Sequence, residues 1–154
     1  MYRSVAGRFG EASIAILAAA VADYRPVERR AEKIKKGDAL LAISLEPTVD
    51  ILAEVAKHKG QKIVVGFAAE TDQVAENARK KLASKNADLI VANDVAAEGA
   101  GFDRDTNIVT LFSRDGRDLA LPKMPKSEVA QRVLDEVVRL RAVLHSPAAR
   151  LSNV

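Results

Sequence analysis

Apolar residues in this chain occur in two ways: as short unbroken runs, and as longer stretches in which they recur every three or four positions. Residues 13–19 (SIAILAA), 63–67 (IVVGF) and 87–92 (ADLIVA) are runs of the first kind. They lack helical periodicity, as expected of strands buried on both faces of a parallel sheet. Residues 72–85 (DQVAENARKKLASK) are of the second kind, with Val74, Ala78 and Leu82 at helical spacing. Thr71 stands where an N-cap belongs, and basic residues gather toward the far end. A shorter helix is expected over 49–57. Strands alternating with helices predict an α/β fold, a Rossmann-like parallel sheet flanked by helices.

The pattern changes after Asp94. Residues 107–112 (NIVTLF) are β-branched and aromatic, 114–117 (RDGR) carry a turn signal, and 118–121 resume an extended pattern. This predicts a β-hairpin. Residues 40–45 (LLAISL) read as a further strand. From Ser127 onward, Val129, Val133, Val137, Leu140 and Leu144 line one face of an amphipathic C-terminal helix that Ser146-Pro147 would end. One domain over 1–147 is expected, with 148–154 as a frayed tail. Residues 27–38 show neither strand alternation nor an apolar stripe, and read as a loop that could order on a ligand.

Composition narrows the classes of function. No apolar run among the 154 residues approaches the roughly 20 needed to cross a bilayer, so no membrane partner is expected. With no cysteine there is no disulfide, thiolate metal site or cysteine nucleophile, and the cytoplasm is the expected compartment. The net charge of +3 is local: residues 25–36 hold six basic residues against two acids, which leaves the rest of the chain near neutral. Such a footprint suits a small anionic ligand and not a nucleic acid, which would need a broader basic surface.

The first candidate chemistry lies in 18–36 (AAAVADYRPVERRAEKIKK), at the carboxyl end of a predicted parallel strand, where open α/β sheets bind ligands. Ala18, Ala19 and Ala20 allow close approach to the backbone. Asp23 could hold a divalent cation through one oxygen, and the lysines could reach phosphates. The alternative is that Asp23 caps a turn and the lysines form a solvated charge run. Asn93 and Asp94 follow a buried strand and are expected at the same edge, either as substrate contacts or as partners for turn amides. His58 and His145 are too far apart to suggest a metal pair. Gly7-Arg8-Phe9-Gly10 precedes the first strand and is no phosphate loop, and the lack of a glycine fingerprint after any strand speaks against a dinucleotide dehydrogenase.

Taken in order, AAAVADYRP, KIKK, GFAAET, KNADLIVANDV at 85–95 and DTNIVTL resemble the phosphopantothenoylcysteine synthetase family over about residues 2–138. The resemblance implies a CTP-dependent ligation in two steps. The carboxylate of phosphopantothenate attacks the α-phosphate, and the cysteine amine then attacks the acyl-cytidylate. It assigns Asp23 to Mg2+ and the triphosphate, the strand end Leu17, Ala18 and Ala19 to close backbone contact, and Lys33 to the charge on the reacting phosphate, a catalytic role by electrostatic stabilisation. Val49, Asp50, Ile51 and Leu52, then Phe67, Lys81 and Lys85, are implied to lie near the nucleotide. Without the resemblance, Phe67 would read as a core aromatic and the two lysines as an exposed helix face. Val49 stands where the family has a proline, and a backbone contact is expected there. The family also implies a homodimer formed through the hairpin, and a further βαβ region ahead of the helix that Met1 enters. The expectation is therefore a partial synthetase domain. A non-catalytic nucleotide-binding or partner-docking subunit of the same fold is the alternative.

Overall fold

The computed structural model describes residues 1–36, 40–70, 72–94 and 105–144. The chain forms two compact units, one of residues 1–19 and 51 onward, the other of Ala20–Asp50.

The larger unit holds one five-stranded sheet, ordered β1 (Ile14–Leu17), β4 (Ile63–Glu70), β5 (Leu89–Asp94), β6 (Thr106–Ser113), β7 (Asp118–Pro125). The first three strands are parallel, with Leu17 opposite Gly66, Phe67 opposite Val91, and Glu70 opposite Asp94. β6 and β7 continue the sheet antiparallel as the expected hairpin, so the hairpin extends the sheet by pairing with β5. Its turn runs through Gly116 at φ 89°, a conformation that suits glycine. Asn107 accepts the amide of Ile108 at 3.0 Å where the β6–β7 register shifts, so this polar residue fixes a bulge.

Helices α1 (Tyr2–Phe9), α2 (Ile51–Ala56), α3 (Val74–Ser84) and α4 (Lys126–Leu144) belong to this unit. Three apolar clusters follow from the sequence pattern. Ile63, Val65, Leu89 and Val91 pack with Val109 and Leu111 against the stripe Val129, Val133, Val137 and Leu140 of α4. Ala68, Ile90 and Ala92 meet Ala78 of α3, and Val64 meets Phe9 of α1 and Val55 of α2. Gly66 lies where α2 meets the sheet, and a Cβ there would lie 2.5 Å from Leu52 Cδ2, so the end of that side chain would have to shift.

Several details depart from the pattern. β1 is a sheet edge and only half-buried, with Ile16 exposed, so an apolar run does not here mean burial on both faces. Gln73, at φ 44°, takes the N-cap position of α3 without a side-chain cap bond, and Thr71 lies outside the described residues. Residues 40–44 are not a strand. In the smaller unit, β2 (Tyr24–Pro26) pairs antiparallel with β3 (Leu45–Pro47), and these short strands carry no alternation to betray them. Residues 27–36 have no regular structure, as expected of a loop. Ser146, Pro147, His145 and the tail 148–154 lie outside the described residues. No described helix is long and apolar enough to cross a membrane.

Candidate functional site

β1, β4 and β5 run in the same direction and end at Leu17, Glu70 and Asp94, which defines one carboxyl edge. Pairing between β1 and β4 stops at Leu17 and Gly66. Beyond it, Phe67 and Ala69 stand exposed on the sheet face that α4 covers further down, level with Val91 and Asn93 of β5. Phe67 keeps 41% of its surface exposed, which removes the reading of it as a core aromatic. Ala18 and Ala19 are exposed just past the end of β1, and their small side chains leave the backbone accessible.

Asn93 does not follow the strand but belongs to it, as the fifth residue of β5. Its Oδ1 is buried and finds no hydrogen-bond donor among the described residues. Buried polar atoms are rarely left without a partner, and those that are call for an explanation such as a ligand or strain. The backbone of Asp94 ends the same strand, and its side chain is outside what is described.

Glu70 closes β4 with 9% exposure. Its carboxylate accepts Lys81 Nζ at 2.7 Å and Asn77 Nδ2 at 3.3 Å. Lys81 is thereby tied to the carboxyl edge with its side chain 42% exposed, so it is not merely a solvated helix position. Lys85, at the C-cap of α3, is half-buried. Sequence reasoning passed over Glu70. The signal was available: an acid ends an apolar run, and Asn77 and Lys81 repeat at i, i+4.

Ile51 and Leu52 open α2 with their side chains turned into the packing, Ile51 buried and Leu52 against Gly66. The buried Ile51 side chain is withdrawn from any ligand, whereas Leu52 is half-buried. The helix begins later than the pattern suggested, so Val49 and Asp50 precede it in the smaller unit.

In that unit, the Asp23 carbonyl accepts Thr48 N at 2.8 Å, and Thr48 Oγ1 donates to the Ala22 carbonyl at 2.6 Å. Thr48 thus ties the β2–β3 ribbon while the Asp23 side chain is exposed and makes no bond among the described residues. No group of three His, Asp or Glu side chains among the described residues could hold a metal. A lone carboxylate fits Mg2+ only together with substrate phosphates and water, the usual manner of that ion. Lys33 is exposed in the irregular stretch 27–36. A concavity of about 820 Å3 in this unit is lined by Arg25, Arg29 and Arg30 together with Ile34, Leu41 and Ile43. A second, of about 540 Å3, lies between α1 and β1. Neither of these concavities includes Phe67, Lys81 or Asn93.

The chain matches the model of the DNA/pantothenate metabolism flavoprotein C-terminal domain over residues 1–140. It is 49% identical over 140 residues to the Coenzyme A biosynthesis bifunctional protein CoaBC of Bacillus subtilis (strain 168), covering 91% of this chain and 34% of that protein. It is also 42% identical over 133 residues to a protein from an unknown prokaryotic organism named Cysteine/Cysteine sulfinic acid decarboxylase, covering 86% of this chain and 37% of that one. Among solved structures, the C-terminal domain of Coenzyme A biosynthesis bifunctional protein CoaBC superposes with a TM-score of 0.70 at 38% identity, covering 88% of this chain and 58% of that one. The chain spans about a third of the length of these curated relatives.

Proposed function

Because this chain belongs to the DNA/pantothenate metabolism flavoprotein C-terminal domain family, we propose that it is ligase machinery of coenzyme A biosynthesis, joining phosphopantothenate to cysteine with CTP and Mg2+. The observation that carries this reading is the convergence of Leu17, Ala18, Ala19, Phe67, Lys81 and Asn93, scattered along the sequence, on one carboxyl edge. Ligands of open α/β sheets bind at such an edge.

The reaction balances in two displacements. A carboxylate oxygen of phosphopantothenate bonds to the α-phosphorus as pyrophosphate leaves, and the cysteine amine then bonds to the acyl carbon as CMP leaves. Phe67 offers an exposed ring for the base to stack on, a contact worth about 1–3 kcal/mol in nucleotide sites. Lys81 and Lys85 offer positive charge from α3, and the main chain at Ile51 and Leu52 offers backbone donors. Lys33 supplies positive charge to the reacting phosphate without transferring a proton. Asp23 would hold Mg2+, which neutralises phosphate charge when bound. Asn93 and Asp94 would receive phosphopantothenate. β7 is a free sheet edge within the described residues, consistent with a homodimer formed through the hairpin.

Calorimetry of the purified chain with CTP and with ATP, each with and without Mg2+, tests this reading. Binding of CTP in preference to ATP, strengthened by Mg2+, is expected. A chain that binds neither triphosphate would overturn it.

A further inference from the structure

The carboxyl edge holds one acid that the reading above leaves without a task. Glu70 is nearly buried at the last position of β4, and its two oxygens divide their bonds across one face of α3, Oε1 to Lys81 and Oε2 to Asn77. Asn77 is itself anchored, donating to the Asp72 carbonyl at 3.2 Å. A carboxylate beside a triphosphate site repels the ligand unless a cation neutralises it. Here that cation is half-exposed while its partner is not, so the pair is fixed at one end and open at the other.

Lysine carries a flexible four-carbon stem, and fixing it costs rotamer entropy. An ammonium has three donors, so Lys81 can spend one on Glu70 and keep two for an anion. We propose that Glu70 is a positioning residue, holding the Lys81 ammonium at the carboxyl edge in the place where it meets the nucleotide. This rests on the assignment of Lys81 to the nucleotide made above.

The expected sign separates this proposal from simple electrostatics. If Glu70 contributed only negative charge, Glu70→Gln would tighten CTP binding; if it positions Lys81, the same change weakens it. Two readouts on the whole chain decide between them. Without ligand, acylation by an amine-reactive ester, read lysine by lysine with exposed Lys123 as internal reference, should rise about fivefold at Lys81 in Glu70→Gln, the effect of losing a half-exposed ion pair worth about 1 kcal/mol. With CTP and Mg2+, calorimetry should find binding about fivefold weaker in Glu70→Gln, and no further weakening when Glu70→Gln is added to Lys81→Met.

Unchanged Lys81 labelling in Glu70→Gln would overturn the positioning role while leaving the nucleotide assignment intact. Unchanged CTP affinity in Lys81→Met would overturn the nucleotide assignment, and with it the purpose given to Glu70. An equal loss from Glu70→Gln in both backgrounds, or loss of the Mg2+ dependence alone, would show that Glu70 acts on the fold or the metal and not through Lys81.

Discussion

The two ends of the parallel strands are built on opposite terms. At the amino end, the buried charges among the described residues are answered. Asp88, 2% exposed, accepts Lys59 Nζ at 2.5 Å and the Val64 amide at 2.9 Å, with Arg114 3.6 Å away. Glu136 on α4 takes the Ser113 hydroxyl at 2.6 Å and the Arg139 guanidinium, which also reaches Asp115 at 2.7 Å. At the carboxyl end a ring is exposed and a buried amide oxygen has no donor among the described residues. The first end ties its buried charges into the fold; at the second Glu70 is likewise answered by Lys81 and Asn77, but the Asn93 oxygen is not answered among the described residues. That division fits the general rule that active edges give up local stability which is made up elsewhere.

Breaking the amino end should do the most damage. Asp88→Ala would strand the Lys59 ammonium, whose burial already holds its pKa below the ordinary lysine value, and would also remove the acceptor for Val64. Orphaning one member of a buried pair costs about 3–5 kcal/mol. Urea denaturation should register that loss. A loss under about 1 kcal/mol would mean water replaces the carboxylate and the two ends are less different than the contacts suggest.

Arg139→Met should come next, at about 2–3 kcal/mol near neutral pH, because it removes charged hydrogen bonds to both Glu136 and Asp115. The pH dependence follows from the carboxylates. Burial pushes the Glu136 pKa up, but the bonds from Arg139 and Ser113 outweigh it, so the net shift is downward. For Asp115 the Arg139 bond is the main cause of a downward shift. Groups with lowered folded pKa values stabilise the fold above the ordinary carboxylate range near 4 and lose that contribution as pH falls through the folded values. The gap between the native chain and Arg139→Met should therefore close below about pH 4 in acid titrations followed by circular dichroism. A gap that stays constant would show that Arg139 acts through packing alone.

Gly66→Ala probes the boundary between the two ends. The added methyl would overlap Leu52 Cδ2, and such overpacking costs about 1–3 kcal/mol, here near the lower bound because the colliding atom ends a side chain. Adding Leu52→Ala should make the two changes less than additive in thermal melts. Strict additivity would show that the methyl collides with something other than Leu52.

Much of this contrast was legible in the sequence, but unevenly. Apolar runs disclosed β4 and β5, and the stripe from Val129 to Leu140 disclosed α4, because burial against a sheet imposes a periodicity. β2 stayed hidden since a three-residue strand in an exposed unit needs no such pattern, and of the stretch 40–45 read as a strand only Leu45 belongs to one, β3. The motif residues Leu17, Phe67 and Asn93 were legible as an edge once the strand ends were known. The pair Lys59–Asp88 was not, because partners 29 residues apart in sequence meet only through tertiary packing.

The smallest effect on stability should be the most informative. Asn93→Ala removes a buried oxygen that makes no bond among the described residues, so the folded state loses little and avoids the desolvation cost of that acceptor, about 1–3 kcal/mol for an unsatisfied group. The melting temperature should stay level or rise, against the usual direction of substitutions at half-buried sites. Binding of phosphopantothenate, followed by calorimetry with CTP present, should weaken by about tenfold, the equivalent of one hydrogen bond near 1.4 kcal/mol. Falling stability with unchanged binding would mean that Asn93 belongs to the same kind of framework as Asp88. Steady or rising stability with weakened binding is what a residue kept for a ligand, at the expense of the fold, must produce.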